Sequence, residues 1–344
     1  MPKEEAIDVP HSSFTDHFIR VLDDGTSAEA QGIPDAITSR DVSMVPLFER
    51  DSGTAEGDVY RGMALITYGR QQADTTAIRD GLRALESYDE DEVLFDDARF
   101  LLGLGYLFVG EVSSALDHLE QVVTNDPDDP EKLNALAQAY ETDGRGRTVI
   151  QRLYVRALSI QPQAVDVRLN YGRFLLSVGD VDKAIDEFQL AMQERPSDDR
   201  AYFNIGTAHL QAGDVGAASR FLHVSLTMNP DNLEALGNLG FMHAGQGNVD
   251  SARVYFQRAV DVDDQDPIAL GNLGAFYLNE GERENAIDVL ERAVTLKSDF
   301  VDALANLSLA YFQNGDEELS RTYAQRALEV NPSHPLARQI LDAL

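Results

Sequence analysis

From residue 96 onward, apolar and polar positions repeat on a 34-residue register. Large apolar residues such as Leu102, Tyr106, Tyr171, Phe188, Leu239, Phe256, Leu273 and Tyr277 fall at helical spacing within it. Small residues hold three fixed places. Position 8 carries Gly103, Gly172, Gly206, Gly240 and Gly274. Position 20 carries Ala115, Ala184, Ala218, Ala252 and Ala286, and position 27 carries Ala157, Ala191, Ala259, Ala293 and Ala327. Small side chains there let two antiparallel helices approach closely and let the next hairpin stack on them, while the large residues fill the layers between. The pattern predicts a stack of helical hairpins, each burying its apolar face on its neighbours.

The turns are marked just as regularly. Gly110, Gly179, Gly213, Gly247, Gly281 and Gly315 occupy position 15, where a first helix that ends in left-handed backbone favours glycine. Glu111, Asp180, Asp214, Asn248, Glu282 and Asp316 follow, residue types suited to the positive start of a second helix. That helix is stopped by Pro127, Pro162, Pro196, Pro230 and Pro332. One added residue precedes Pro162, and Asp264 and Ser298 fill the two empty slots.

These small, aromatic and proline positions resemble the tetratricopeptide repeat. Seven repeats lay out over 96–129, 130–164, 165–198, 199–232, 233–266, 267–300 and 301–334. The family's tryptophan at position 4 is replaced by Tyr202, Leu236, Leu270 or Leu304, each another bulky filler. The resemblance implies an all-α, right-handed superhelical solenoid. Residues 58–95 read as a degenerate helical hairpin in which Tyr68 and Gly69 keep register with Tyr171 and Gly172. Residues 335–344 read as a C-terminal capping helix, and residues 1–57, with Pro10, Pro34 and Pro46, as a largely irregular extended N-terminal arm.

Charge bounds the partners. The 344 residues carry 28 basic and 59 acidic side chains, a net charge of −31 spread along the chain. Such a surface repels phosphate backbones and anionic lipid, so neither nucleic acid nor a membrane surface is the expected partner, whereas a basic one is compatible. The basic residues are 24 Arg against 4 Lys, and Asp outnumbers Glu by 37 to 22, a bias met in salt-adapted organisms. The absence of cysteine excludes disulfides, zinc–thiolate sites and covalently attached haem. No apolar run has the roughly 20 residues of a membrane span. MPKEEAIDVP has no apolar signal core, which makes the cytoplasm the expected compartment, or the periplasm or exterior if a signal has been removed.

Chemistry is sparse. No G-x-S-x-G, phosphate loop, H-E-x-x-H or cysteine nucleophile occurs, so the expected role is non-catalytic. Asp126, Asp128 and Asp129, and likewise Asp261, Asp263, Asp264 and Asp266, lack the glycine and closing glutamate of a calcium loop. Both groups fall at inter-repeat turns, where acidic residues begin the next helix.

One polar position stands out. Asn170, Asn204, Asn238, Asn272 and Asn306 recur every 34 residues at position 6. The resemblance places position 6 on the first helix, which lines the concave face in this family, and some members hold a peptide backbone on such an amide ladder. An amide offers one acceptor and two donors, enough to hold a backbone without reading side chains. The same side chains could instead bond to a neighbouring helix. Around them Phe203, Phe241, Leu309 and Phe312 offer apolar pockets, and Gly237, Gly271, Ala275 and Ala305 leave room. The family's two-carboxylate clamp is absent. The expectation is a protein-interaction scaffold that binds an extended, partly apolar segment between residues 165 and 313. Leu101 replaces the asparagine in the first repeat, and Asn134 falls off the line in the second.

The arm supports two alternatives. Residues 7–22 alternate apolar with polar and could dock on a neighbouring copy, building dimers or filaments. VPHSSFTDH, with the later VPLFERD and YRGMALITYGRQ, resembles the tetratricopeptide tail of multihaem c-type cytochromes. That resemblance implies an accessory or assembly subunit in which His11 or His17 ligates a haem held by a partner chain, because no C-x-x-C-H site is present. His209 and His243 share position 11, an aromatic packing site, and read as core substitutes. His118, His223 and His334 carry no assigned role.

Overall fold

The computed structural model describes residues 55–86 and 96–344, and the backbone of two short strands before them. Strands β1 (Phe18–Leu22) and β2 (Val42–Pro46) pair antiparallel, Phe18 opposite Pro46. Two adjacent strands of extended chain thus lie within the arm, and everything described after them is helical.

Two compact units divide the chain at Asn170 and Tyr171. The first holds α1 (Ala55–Gln72), α2 (Thr75–Glu86), α3 (Asp96–Phe108), α4 (Val112–Asn125), α5 (Pro130–Thr142), α6 (Arg147–Ile160) and the start of α7 (Val165–Ser177). The second continues with α8 (Val181–Glu194), α9 (Asp199–Gln211), α10 (Val215–Met228), α11 (Leu233–Gly245), α12 (Val249–Val262), α13 (Pro267–Asn279), α14 (Arg283–Leu296), α15 (Val301–Asn314), α16 (Glu317–Val330) and α17 (Pro335–Ala343). Within each unit, consecutive helices pack as antiparallel hairpins, and each second helix also packs on the first helix of the next repeat. Odd-numbered first helices touch as well, α11 with α13 and α13 with α15.

The hairpin turns follow from local backbone chemistry. At the end of α15, Gly315 lies at φ 85°, and its N–H and that of Asp316 bond back to Phe312 and Tyr311 carbonyls. Gly144 at φ 72° does the same in the second repeat, and the added residue falls in the Gly144–Gly146 turn, so α5 keeps its register. The N-caps come from the acidic turns. Asp129 accepts from the Glu131 and Lys132 N–H groups, and Asp266 from those of Ile268 and Ala269. Each of the two acidic groups thus supplies the cap of the next helix.

Packing inside five of the hairpins obeys one size rule. The glycine at position 8 lies under the side chain at position 24: Leu119 on Gly103, Phe188 on Gly172, Leu222 on Gly206, Phe256 on Gly240, Leu290 on Gly274. In the last repeat position 8 is Ser308, and position 24 shrinks to the buried Ala324. Ser308 Oγ then donates to the Ser320 carbonyl at 2.8 Å, and Ser320 Oγ donates to the Ser308 carbonyl at 3.0 Å.

Successive repeats are stapled by polar side chains at fixed places. The guanidinium groups of Arg258, Arg292 and Arg326 reach back 28 residues to the carbonyls of Pro230, Asp264 and Ser298. Tyr140 and Tyr311 reach back 20 residues to Glu120 and Glu291. Burial, the Glu291 bond and its negative charge push the Tyr311 hydroxyl far above its ordinary range. Position 11 stacks on position 23, as in Tyr106 on His118 and Tyr311 on Tyr323. His209 on Phe221 at 5.7 Å and His243 on Tyr255 at 5.3 Å fit the same pattern. His223 and His334 also have structural work: the first bonds to Tyr255 Oη, and the second caps α17.

Candidate peptide groove

The first helices α11, α13 and α15 carry less charge than the second helices they pack against. Along its whole length α13 has no charged residue, α11 has Glu234 and α15 has Asp302. By contrast α14 carries Arg283, Glu284, Asp288, Glu291 and Arg292. On a chain of net charge −31, charge has been kept off one face. Depletion of charge with exposed aromatics is the mark of the centre of a protein interface. This contrast can be read from the sequence once the helices are placed.

Asn238, Asn272 and Asn306 lie on these three helices and Asn204 on α9, and the asparagines differ in what they hold. In the first unit, the Asn170 amide donates to Asn134 Oδ1 at 2.9 Å. Asn134 stands at position 5 of its repeat, off the ladder as counting along the sequence has it, and position 5 of one repeat neighbours position 6 of the next, as Gly237 neighbours Asn272. In the second unit, Asn238 Nδ2 donates to Thr207 Oγ1 of the preceding first helix at 3.2 Å. The Asn272 amide nitrogen would stand 3.3 Å from a Cβ at Gly237. Asn204 is 8% exposed, Asn306 is half-buried, and neither side chain forms a hydrogen bond among the described residues. Bonding to the neighbouring helix thus occupies one N–H of Asn238 and leaves its oxygen and second N–H available.

The room read at the glycines is in fact filled. Gly237 faces the Asn272 amide, and the Phe300 ring lies 2.8 Å from where a Gly271 side chain would begin. Ala305 is buried. Gly237 thus makes room for a residue of the following repeat, and Gly271 for the residue that caps α15. Of the apolar neighbours, Phe203 and Leu309 are half-buried against the core, whereas Phe241 is 50% and Phe312 38% exposed.

Phe241 opens onto a cavity of about 410 Å³ that it shares with Ala244 and Gly245 of α11, Phe256 of α12, and Phe276, Asn279 and Glu280 at the end of α13. Phe241 meets Phe256 edge-on at 5.0 Å, and Phe256 meets Phe276 at 5.4 Å. Behind this group the Arg253 guanidinium lies over the Phe276 and Tyr277 rings and forks onto the Glu282 carboxylate. The Arg253 bond holds the Glu282 carboxyl below its ordinary range. At the start of α9, Arg200 donates to Asp198, and this bond holds the Asp198 carboxyl below its ordinary range.

His11 and His17 lie outside the described residues. Among the described residues, no helix is long and apolar enough to cross a membrane.

Two family models described as tetratricopeptide repeat match the chain, one over residues 209–275 and the other over 147–199 and 272–335, together more than half of it. No curated protein sequence matches. Among solved structures, the APC/C hetero-tetramer Cut9–Hcn1 superposes with a TM-score of 0.60 at 17% identity, over 86% of this chain and 57% of that one. Yeast Tom70 gives 0.67 at 12% identity, over 86% and 65%. A tetratricopeptide repeat protein from Parabacteroides merdae gives 0.56 at 16%, over 72% and 97%. This chain spans less than two thirds of the first two, and at these identities the likeness is one of fold. With its register, its hairpins and the family matches in agreement, the chain belongs to the tetratricopeptide repeat family.

Proposed function

We propose that this protein is a non-catalytic interaction scaffold that binds an extended polypeptide segment along the first-helix face of its second unit. The observation that carries the reading is the charge-poor face of α11, α13 and α15 on a strongly acidic chain. The amides of Asn204, Asn238, Asn272 and Asn306 supply donors and acceptors for a ligand backbone, which has one of each per residue. Phe241 and Phe312 supply exposed apolar surface for its side chains. Repeat surfaces of one fold serve many ligands, so the assignment rests on this face and not on the fold.

Hydrogen-exchange mass spectrometry of the full chain, with and without a degenerate pool of short peptides at saturating concentration, tests it. Slowed exchange in α9, α11, α13 and α15 with little change in α10, α12 and α14 is expected. Protection confined to the second helices would place the binding face elsewhere.

A further inference from the structure

The slot beside Phe241 combines two features that suit one kind of side chain. Its walls are rings: Phe241, Phe256 and Phe276, closed by Ala244. Its mouth is polar and unused: Asn279 and Glu280 are exposed, and neither side chain makes a hydrogen bond or ion pair among the described residues. The molecule already solves this recognition problem once from behind. Arg253 lies 5.3 Å from the Phe276 ring centroid while its fork engages the Glu282 carboxylate.

We propose that the slot is a specificity pocket for an arginine side chain of the bound segment, an inference that rests on the groove reading above. The aliphatic stem packs between Phe241 and Phe276, and the guanidinium stacks on a ring face, where a cation within about 6 Å of the centroid is attracted. Its N–H groups donate to the Glu280 carboxylate and the Asn279 side-chain oxygen. Planarity and a fixed fork make arginine better suited than lysine to stacking and to a bidentate carboxylate bond. An uncharged aromatic or aliphatic anchor would cover Glu280 and Asn279 and give them no partner, which costs desolvation energy. The surroundings favour a cation too, since residues 171–344 carry 27 acidic against 13 basic residues.

Arrays of short degenerate peptides with one fixed residue (Arg, Lys, Phe, Leu or Glu) probed with the full chain test the inference. The Arg pools should be retained best. E280Q should lower their affinity roughly tenfold, the loss expected for a charge-assisted fork, while leaving the Phe and Leu pools within about twofold. F241A should weaken the Arg pools as well. Preference for Phe or Leu pools, or an Arg preference unchanged in E280Q, overturns the pocket assignment even where binding depends on the asparagines. Arg pools lost in E280Q but unchanged in the N204A/N238A/N272A variant support the pocket and contradict the ladder. No binding of any pool by the wild-type chain overturns both.

Discussion

The Phe256 ring lies against the bare Cα of Gly240, so close that a methyl group there would stand 2.6 Å from ring atom Cε1. This pair joins packing to the groove, because the same ring also lines the Phe241 slot. G240A should destabilise the protein. Overpacking costs about 1–3 kcal/mol, against about 1 kcal/mol gained from helix propensity. G216A, in the first turn of α10 with no atom nearer than 3.6 Å, should be neutral or stabilising. Thermal melts should fall for G240A and hold or rise for G216A, and a G240A melt at or above wild type would contradict this packing.

The reciprocal bonds between Ser308 and Ser320 replace the glycine–alanine pair of other repeats with two buried hydrogen bonds. S308A and S320A should each cost about 0.5–1.5 kcal/mol by urea denaturation. Their combination should depart from additivity, since the two hydroxyls also lie 3.4 Å apart.

Asp198 caps α9 through the Arg200 N–H and pairs with the Arg200 and Arg195 guanidinium groups. Its folded carboxyl is held below the ordinary range, chiefly by the Arg200 bond. A depressed carboxyl contributes stability that is fully present above its unfolded value, about 3.9, and that is lost as pH falls through the folded one. D198A should therefore be less stable than wild type by about 1 kcal/mol at pH 7. Denaturation midpoints across pH 2–7 should show that gap closing towards acid. A gap of constant size would assign the effect to something other than the carboxylate.

The arginines at position 26 explain part of the Arg-over-Lys bias structurally. Lysine has no planar fork with which to reach the carbonyls that Arg258, Arg292 and Arg326 engage. Replacing all three by Lys should lower stability by about 0.5–1 kcal/mol per site, discounted for their exposure, with net charge unchanged. A variant as stable as wild type in chemical denaturation would return the bias to composition alone.

The hairpins were legible because period, glycine turns and helix-stopping prolines all point to the same geometry. Partners across repeats were not. That Arg292 meets the Asp264 carbonyl depends on how one hairpin steps onto the next, which helical spacing does not encode. Nor does spacing say that position 5 of one repeat meets position 6 of the next, as Asn134 meets Asn170. A glycine also looks alike in sequence whether its space is open or filled, so Gly271 read as room until Phe300 was seen to occupy it. Of the slot's three rings only Phe241 was read as facing the groove, because Phe256 comes from a second helix and Phe276 holds a place that is not aromatic in most repeats.

Affinity for a retained peptide, followed by fluorescence anisotropy, tests the central claim when wild type is compared with N204A/N238A/N272A. Removing the amide donors and acceptors should cost at least a roughly tenfold loss of affinity, with circular dichroism and melting temperature preserved. Equal affinity in a folded variant would contradict it.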